Sequence, residues 1–198
     1  MKKIGILLLV FLFFVGCAAP AQPTSVPEST ASLKSKSALP GKTGAARILR
    51  EIWAEYEETE RFAIFGGSPD RPVADDAGDL DMELPEKWLH RYRFPSSQQK
   101  HLDEGAAFGH LMNESLFTAV VFHSKTPKNN PALLRAWRQE LQQTHWVSNR
   151  PAQLMLAQVD GDYVLMAYGS RNHMHTFREK LCDTFPSTHI FYYEPITV

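Results

Sequence analysis

Apolar side chains recur along this chain with three rhythms, and each rhythm predicts a different kind of segment. Ile4 to Val15 is an unbroken run without charge. From Ala18 to Thr43 large apolar side chains nearly vanish, leaving Val26, Leu33 and Leu39 among Pro, Ser, Thr and Ala. Such a stretch buries too little surface to offset its ordering entropy and reads as a disordered tether. Beyond Thr43, whose hydroxyl suits an N-cap, Ile48, Leu49, Ile52, Trp53 and Tyr56 fall three and four apart, which predicts an amphipathic helix to about Thr59. Glu55, Glu57, Glu58 and Glu60 crowd its end, where negative charge opposes the helix dipole, so fraying is expected near Glu58.

Gly66-Gly67-Ser68-Pro69 then breaks the chain, and Pro85 to Tyr92 predicts a short helix that carries Leu84, Trp88 and Leu89 toward a core and stops at Pro95. Two strands follow, Ala107 to Met112 and Ser115 to Ser124, around Asn113-Glu114. The nearly continuous run from Phe117 to Phe122 marks a central strand covered on at least one face. Asn130 is expected to cap a helix with Pro131 in its first turn and Leu133, Leu134, Trp137, Leu141 and Thr144 along one side. Gln153 to Val159 and Asp162 to Tyr168 flank Asp160-Gly161, a pair suited to the positive backbone angles of a two-residue hairpin turn. Met174, Phe177, Leu181 and Phe185 line a last helix that starts at Ser170 or Asn172, and Ile190 to Tyr193 form a terminal strand. The order ββαββαβ after an N-terminal helix predicts the α+β class, an antiparallel sheet with its helices packed on one face.

The opening run bears on location. Met1, Lys2 and Lys3 give a positive start ahead of 12 uncharged residues, which is the anatomy of a signal peptide. A helix of that length is about 18 Å long against a hydrocarbon core of roughly 30 Å, so cleavage fits better than a permanent span. Ala18-Ala19-Pro20 offers a crude Ala-x-Ala-like site, which would give a soluble secreted product. Phe14-Val15-Gly16-Cys17 resembles the lipobox of bacterial lipoproteins, with small Gly16 before the cysteine and Phe14 where leucine is commonest. That resemblance implies lipidation of Cys17 as the first mature residue, with diacylglycerol on its sulfur and a fatty acid such as palmitate on its amino group. Two or three chains at about 0.8 kcal/mol per buried methylene hold a protein on a membrane where one chain is marginal.

The expected organisation is a signal peptide over 1–16, a lipidated tether over 17–43 and one globular α+β domain over 44–198. A flexible coil from Ala18 to Thr43 reaches roughly 25 to 30 Å. The implied location is the cell envelope, on the outer side of the cytoplasmic or outer membrane. In an envelope with two membranes, Ala18 lacks the aspartate associated with inner-membrane retention and implies outer-membrane sorting.

Charge and cysteine usage narrow the chemistry. A net charge of −1, made more negative by loss of Lys2 and Lys3, argues against nucleic acid as partner. Cys17 and Cys182 are the only cysteines, so a thioether at Cys17 leaves Cys182 as a free thiol, expected to be buried. A nucleophilic Cys182 would need a cationic neighbour, and His175 lies about 10 Å away along a helix axis, leaving His189 as the other partner. The acidic stretch Asp75, Asp76, Asp79, Asp81 and Glu83 suggests calcium, but Ala77 and Leu80 fall where an EF-hand loop needs ligands, so a solvated loop is favoured. His173 and His175 are the one close histidine pair; on a helix they diverge by about 200°, and no cysteine pair or acid nearby completes a zinc set.

Leu80 to Phe185 also resembles a family of uncharacterised, mostly Gram-positive lipoproteins. The likeness lies in the acidic lead-in, the Glu114-headed strand, the Pro131-started helix and the hairpin Gly161-Asp162-Tyr163-Val164-Leu165. It implies the anchor and the α+β order and brings no catalytic, cofactor or metal residue. The expected function is a non-catalytic binding or assembly module with an envelope protein as partner. The alternative is an envelope hydrolase or thiol enzyme using Cys182 or a histidine. A concave pocket with several titratable side chains would favour the enzyme, whereas an exposed aromatic patch, such as Trp146, Tyr168 and Tyr192, would favour partner binding.

Overall fold

Two long apolar hairpins pair side by side to make the centre of an antiparallel sheet. The computed structural model describes residues 44–147 and 149–197. The expected signal peptide, Cys17, the tether and Thr43 lie outside the described residues. The first hairpin joins β4 (Leu102–His110) to β5 (Phe117–Ser124), and the second joins β6 (Gln153–Val159) to β7 (Tyr163–Gly169). Asp160 and Gly161 both have positive φ, 48° and 78°, as the two-residue turn demands. The terminal strand β8 (His189–Pro195) pairs with β6 and carries a register shift opposite Leu156/Ala157.

Three short strands, β1 (Ile64–Gly66), β2 (Val73–Ala74) and β3 (Gly78–Asp79), complete the other side. The order is β2-β1-β4-β5-β7-β6-β8, with β3 also paired to β4. The class is α+β, and the order ββαββαβ runs from β4 to β8. The short strands have too few residues to show a period of two; pairing creates them, β1 and β3 on β4 and β2 on β1.

The helices are α1 (Gly44–Ala54), the single turn α2 (Glu86–Leu89), α3 (Asn130–Gln143) and α4 (Arg171–Thr184). They do not share one face. Phe117, Ala119 and Val121 of β5, with Leu165 and Ala167 of β7, pack against α1 and α4. The alternate residues Val120, Phe122, Val164 and Met166 pack against Trp88 of α2 and Leu133, Leu134 and Trp137 of α3.

Chain direction explains the two-sided arrangement. Both the β5-α3-β6 and the β7-α4-β8 connections join parallel strands and step two places the same way across the sheet, but β5 and β7 run oppositely. Two crossovers of the same hand can then be made only on opposite faces, and a right hand is nearly universal. Burial on both faces is also why Phe117–Phe122 reads as a continuous run, a pattern commoner in parallel sheets.

Local boundaries shift for identifiable reasons. α1 stops at Ala54 rather than Thr59, because Arg61 donates to the carbonyls of Tyr56, Trp53 and Ala54 and closes the helix end. Glu60 turns instead to Lys180 at 3.0 Å. β4 begins at Leu102 and ends at His110, so Leu111 and Met112 belong to the turn. Asn130 is no cap: its backbone is helical and its buried side-chain amide has no partner among the described residues. Ser170 does cap α4, accepting from the His173 amide at 3.3 Å.

Cys182 is exposed, not buried, because Phe177 and Leu181 set the inward phase of α4 and the next residue turns away. The acidic segment is drawn into structure: Asp76 pairs with Arg50 at 2.6 Å and Asp81 with Arg71 at 2.7 Å. Among the described residues no helix is long and apolar enough to cross a membrane.

Candidate functional site

The sheet has two poles, fixed by register. At the near pole Glu104 lies opposite His123, which lies opposite Tyr163. The chain enters here: the Ala45 amide donates to Glu104 and Arg47 reaches Asp160 at 3.8 Å. At the far pole stand His110, Phe117, Gln153, Gly169 and Pro195. Because α3 carries the chain from the end of β5 to the start of β6, its C-terminal residues emerge at the far pole. The segment after α2 arrives there too, since Arg91 pairs with Glu114 in the β4–β5 turn.

That segment ends in a tight reversal. The Phe94 amide donates to the Leu89 carbonyl at 2.9 Å and the Arg93 amide to the His90 carbonyl at 3.4 Å, the two bonds of a Schellman motif. Its left-handed position, usually glycine, is Arg93 with φ of 51°. Phe94 locks the turn to the core, edge-on to Trp137 at 4.7 Å and Phe122 at 5.2 Å. The strain is held in place by packing on its flank.

Beside this turn lies an open cavity of about 470 Å³. Leu89 and Phe94 give it apolar walls; His90, Arg93, Ser96, Glu140, Thr144 and His145 supply the polar ones. Thr144 is engaged within its helix, its hydroxyl donating to the Glu140 carbonyl at 2.8 Å. Arg93 Nη1 stands 3.0 Å from His90 Nδ1, and its guanidinium carbon 6.0 Å from the Trp146 ring centre. Arg93 Nε and Trp146 Nε1 are both buried and have no hydrogen-bond partner among the described residues. Neither Arg93 nor Glu140 joins an ion pair among them.

A left-handed arginine costs about 1–2 kcal/mol relative to a relaxed one. Arg93→Gly is therefore expected to raise stability by about 1 kcal/mol while removing the only guanidinium in the cavity wall. Urea unfolding of the two forms checks this; a loss of stability would mean that the arginine is kept for packing.

The far pole also bears an exposed apolar turn, with Leu111 55% and Met112 81% accessible. Next to it Phe62 stacks on His110 at 5.0 Å and meets His173 at 4.5 Å. Burial, and then the neighbouring His173, hold the His110 imidazole below its ordinary pKa. His173 Nδ1 lies 3.1 Å from the Leu116 carbonyl, while His175 faces Glu179 at 3.4 Å, so the pair diverges as helix geometry requires. Among the described residues no group of three or more His, Cys, Asp or Glu is placed to hold a metal ion.

The expected aromatic patch is not there as such. Tyr168 is 3% exposed, covered by Trp146 at 5.3 Å, and Tyr192 is half-buried beneath Arg138. Burial holds the Tyr168 phenol above its usual pKa. Of the residues around the cavity, the sequence pattern marked Leu89 and Thr144 as positions on the inner sides of their helices and none as a site residue. Only Pro95, the helix stop, marked the turn that places Arg93. Comparison with protein-family models, curated proteins and solved structures gives no match.

Proposed function

We propose that this protein is a lipid-anchored, non-catalytic module of the cell envelope, held through Cys17, that recognises another envelope component at its far pole. The polarity of the fold carries the reading: the chain enters at the Glu104 and Tyr163 end, while the cavity and the apolar Leu111–Met112 turn lie at the other.

The hydrolase alternative draws on one observation, that His90, His145 and Ser96 line a single cavity. Binding is favoured because, among the described residues, no hydrogen bond joins Ser96 to His90 or His145 and no carboxylate pairs with either histidine to orient it as a base. The thiol version is weaker still: Cys182 is exposed on α4, across the sheet from the cavity.

Photo-crosslinking in intact cells tests the proposal. A crosslinking side chain at Met112 is expected to capture an envelope protein, the same group at Asp162 of the near pole is not, and Cys17→Ser is expected to release the protein from the membrane. Equal capture at both poles, or turnover of peptide, ester or glycan by the purified chain, would overturn it.

A further inference from the structure

We infer that the cavity at the far pole binds a small ligand bearing both a carboxylate and an ammonium group, of the class of a short peptide with free ends. The carboxylate goes to Arg93, the ammonium to Glu140, and an apolar side chain lies on Leu89 and Phe94. The inference rests on the binding-module reading and gives its ligand a chemistry.

Three observations converge. Arg93 and Glu140 line one cavity of about 470 Å³, and neither is neutralised by an ion pair among the described residues. A cavity of that size holds a small molecule, and two opposite charges on its walls match a dipolar one better than a simple anion. Arg93 Nε is a buried donor without an acceptor, a costly state in a folded protein. Finally, the arginine occupies a left-handed position where glycine would be relaxed, which is where strain held by the surrounding structure accompanies binding.

Nε is sealed from solvent in this arrangement, so capture requires the guanidinium to turn off His90 Nδ1. Turning exposes the Nε and Nη edge, which takes a carboxylate through two parallel hydrogen bonds. The orphan donor gains its acceptor in that movement.

Calorimetric titration of the full chain in detergent micelles tests this with four probes: alanyl-leucine, its N-acetyl form, its C-terminal amide and inorganic phosphate. Alanyl-leucine is expected to bind, each blocked form about tenfold more weakly, as loss of one charged hydrogen bond implies. Arg93→Gln should erase the difference between acid and amide, and Glu140→Gln the difference between free and acetylated amine, with both variants melting like the parent. Absence of dipeptide binding, equal binding of the blocked forms, unchanged discrimination in the variants, or phosphate binding as tightly as the dipeptide would overturn the inference. If the dipeptide fails while Met112 still crosslinks a partner, the ligand chemistry falls and the module stands; if Met112 captures nothing, the module reading falls first.

Discussion

Trp137→Ala is expected to lower the unfolding free energy by about 3–5 kcal/mol, the usual range for emptying a large aromatic site in a core. Trp137 is fully buried on α3, its ring centre 4.7 Å from that of Phe94 and 5.8 Å from that of Phe122, and its Nε1 donates to the Tyr92 carbonyl at 2.9 Å. Truncation removes apolar contact and leaves a buried carbonyl with one acceptor site unmet, so two costs add. The consequence reaches past stability, because Tyr92 immediately precedes the strained Arg93. Chemical denaturation gives the first effect. Faster amide exchange at Arg93 and Phe94 under native conditions is expected to accompany it. A cost below 1 kcal/mol would show that the α3 face of the core rearranges freely.

Gly66→Ala is expected to cost about 3 kcal/mol or more, at the upper end of overpacking effects. A β-carbon there would lie 2.4 Å from the Ala107 carbonyl oxygen, 2.4 Å from the Gly78 nitrogen and 2.5 Å from the Asp76 oxygen. All three are backbone atoms, of β4, of β3 and of the bend that leads into β3, so no flexible side chain can yield. Gly109→Ala serves as the comparison, since its nearest neighbours stand at 3.4 Å, tight but shared between a carbonyl and the movable Thr118 hydroxyl. Thermal melts of the two variants should separate clearly. Equal melting would mean that β1 is dispensable to the sheet.

The parts of the fold legible in the sequence are those where a local rule acts alone. Asp160-Gly161 announces its hairpin because few other residues accept two positive φ angles in succession. The stripe of Leu133, Leu134, Trp137 and Leu141 announces α3 because its period is set within one helix. Where a second element decides, the pattern fails. β1, β2 and β3 exist only as partners of β4 and of one another, and α1 ends where Arg61 reaches back to it; the exposure of Cys182, by contrast, was already written in the stripe Met174, Phe177 and Leu181, which turns the next residue outward.

The two-sided placement of α3 and α4 depends on strand direction across the whole sheet. The cavity was least legible of all, since it joins the end of α2 to the end of α3, some fifty positions apart, and its marker is a backbone angle at Arg93 rather than a motif.

The margins of the sheet have a consequence for behaviour at high local density. One rim is broken into β1, β2 and β3, each two or three residues long, and the other is β8, irregular opposite Leu156/Ala157 and closing on Pro195. The first margin offers no long ladder of free donors and acceptors on which a neighbouring molecule could zip, and the register shift and Pro195 interrupt the one that β8 presents. Copies of this chain crowded onto one surface can therefore brush past each other without fusing into a shared sheet.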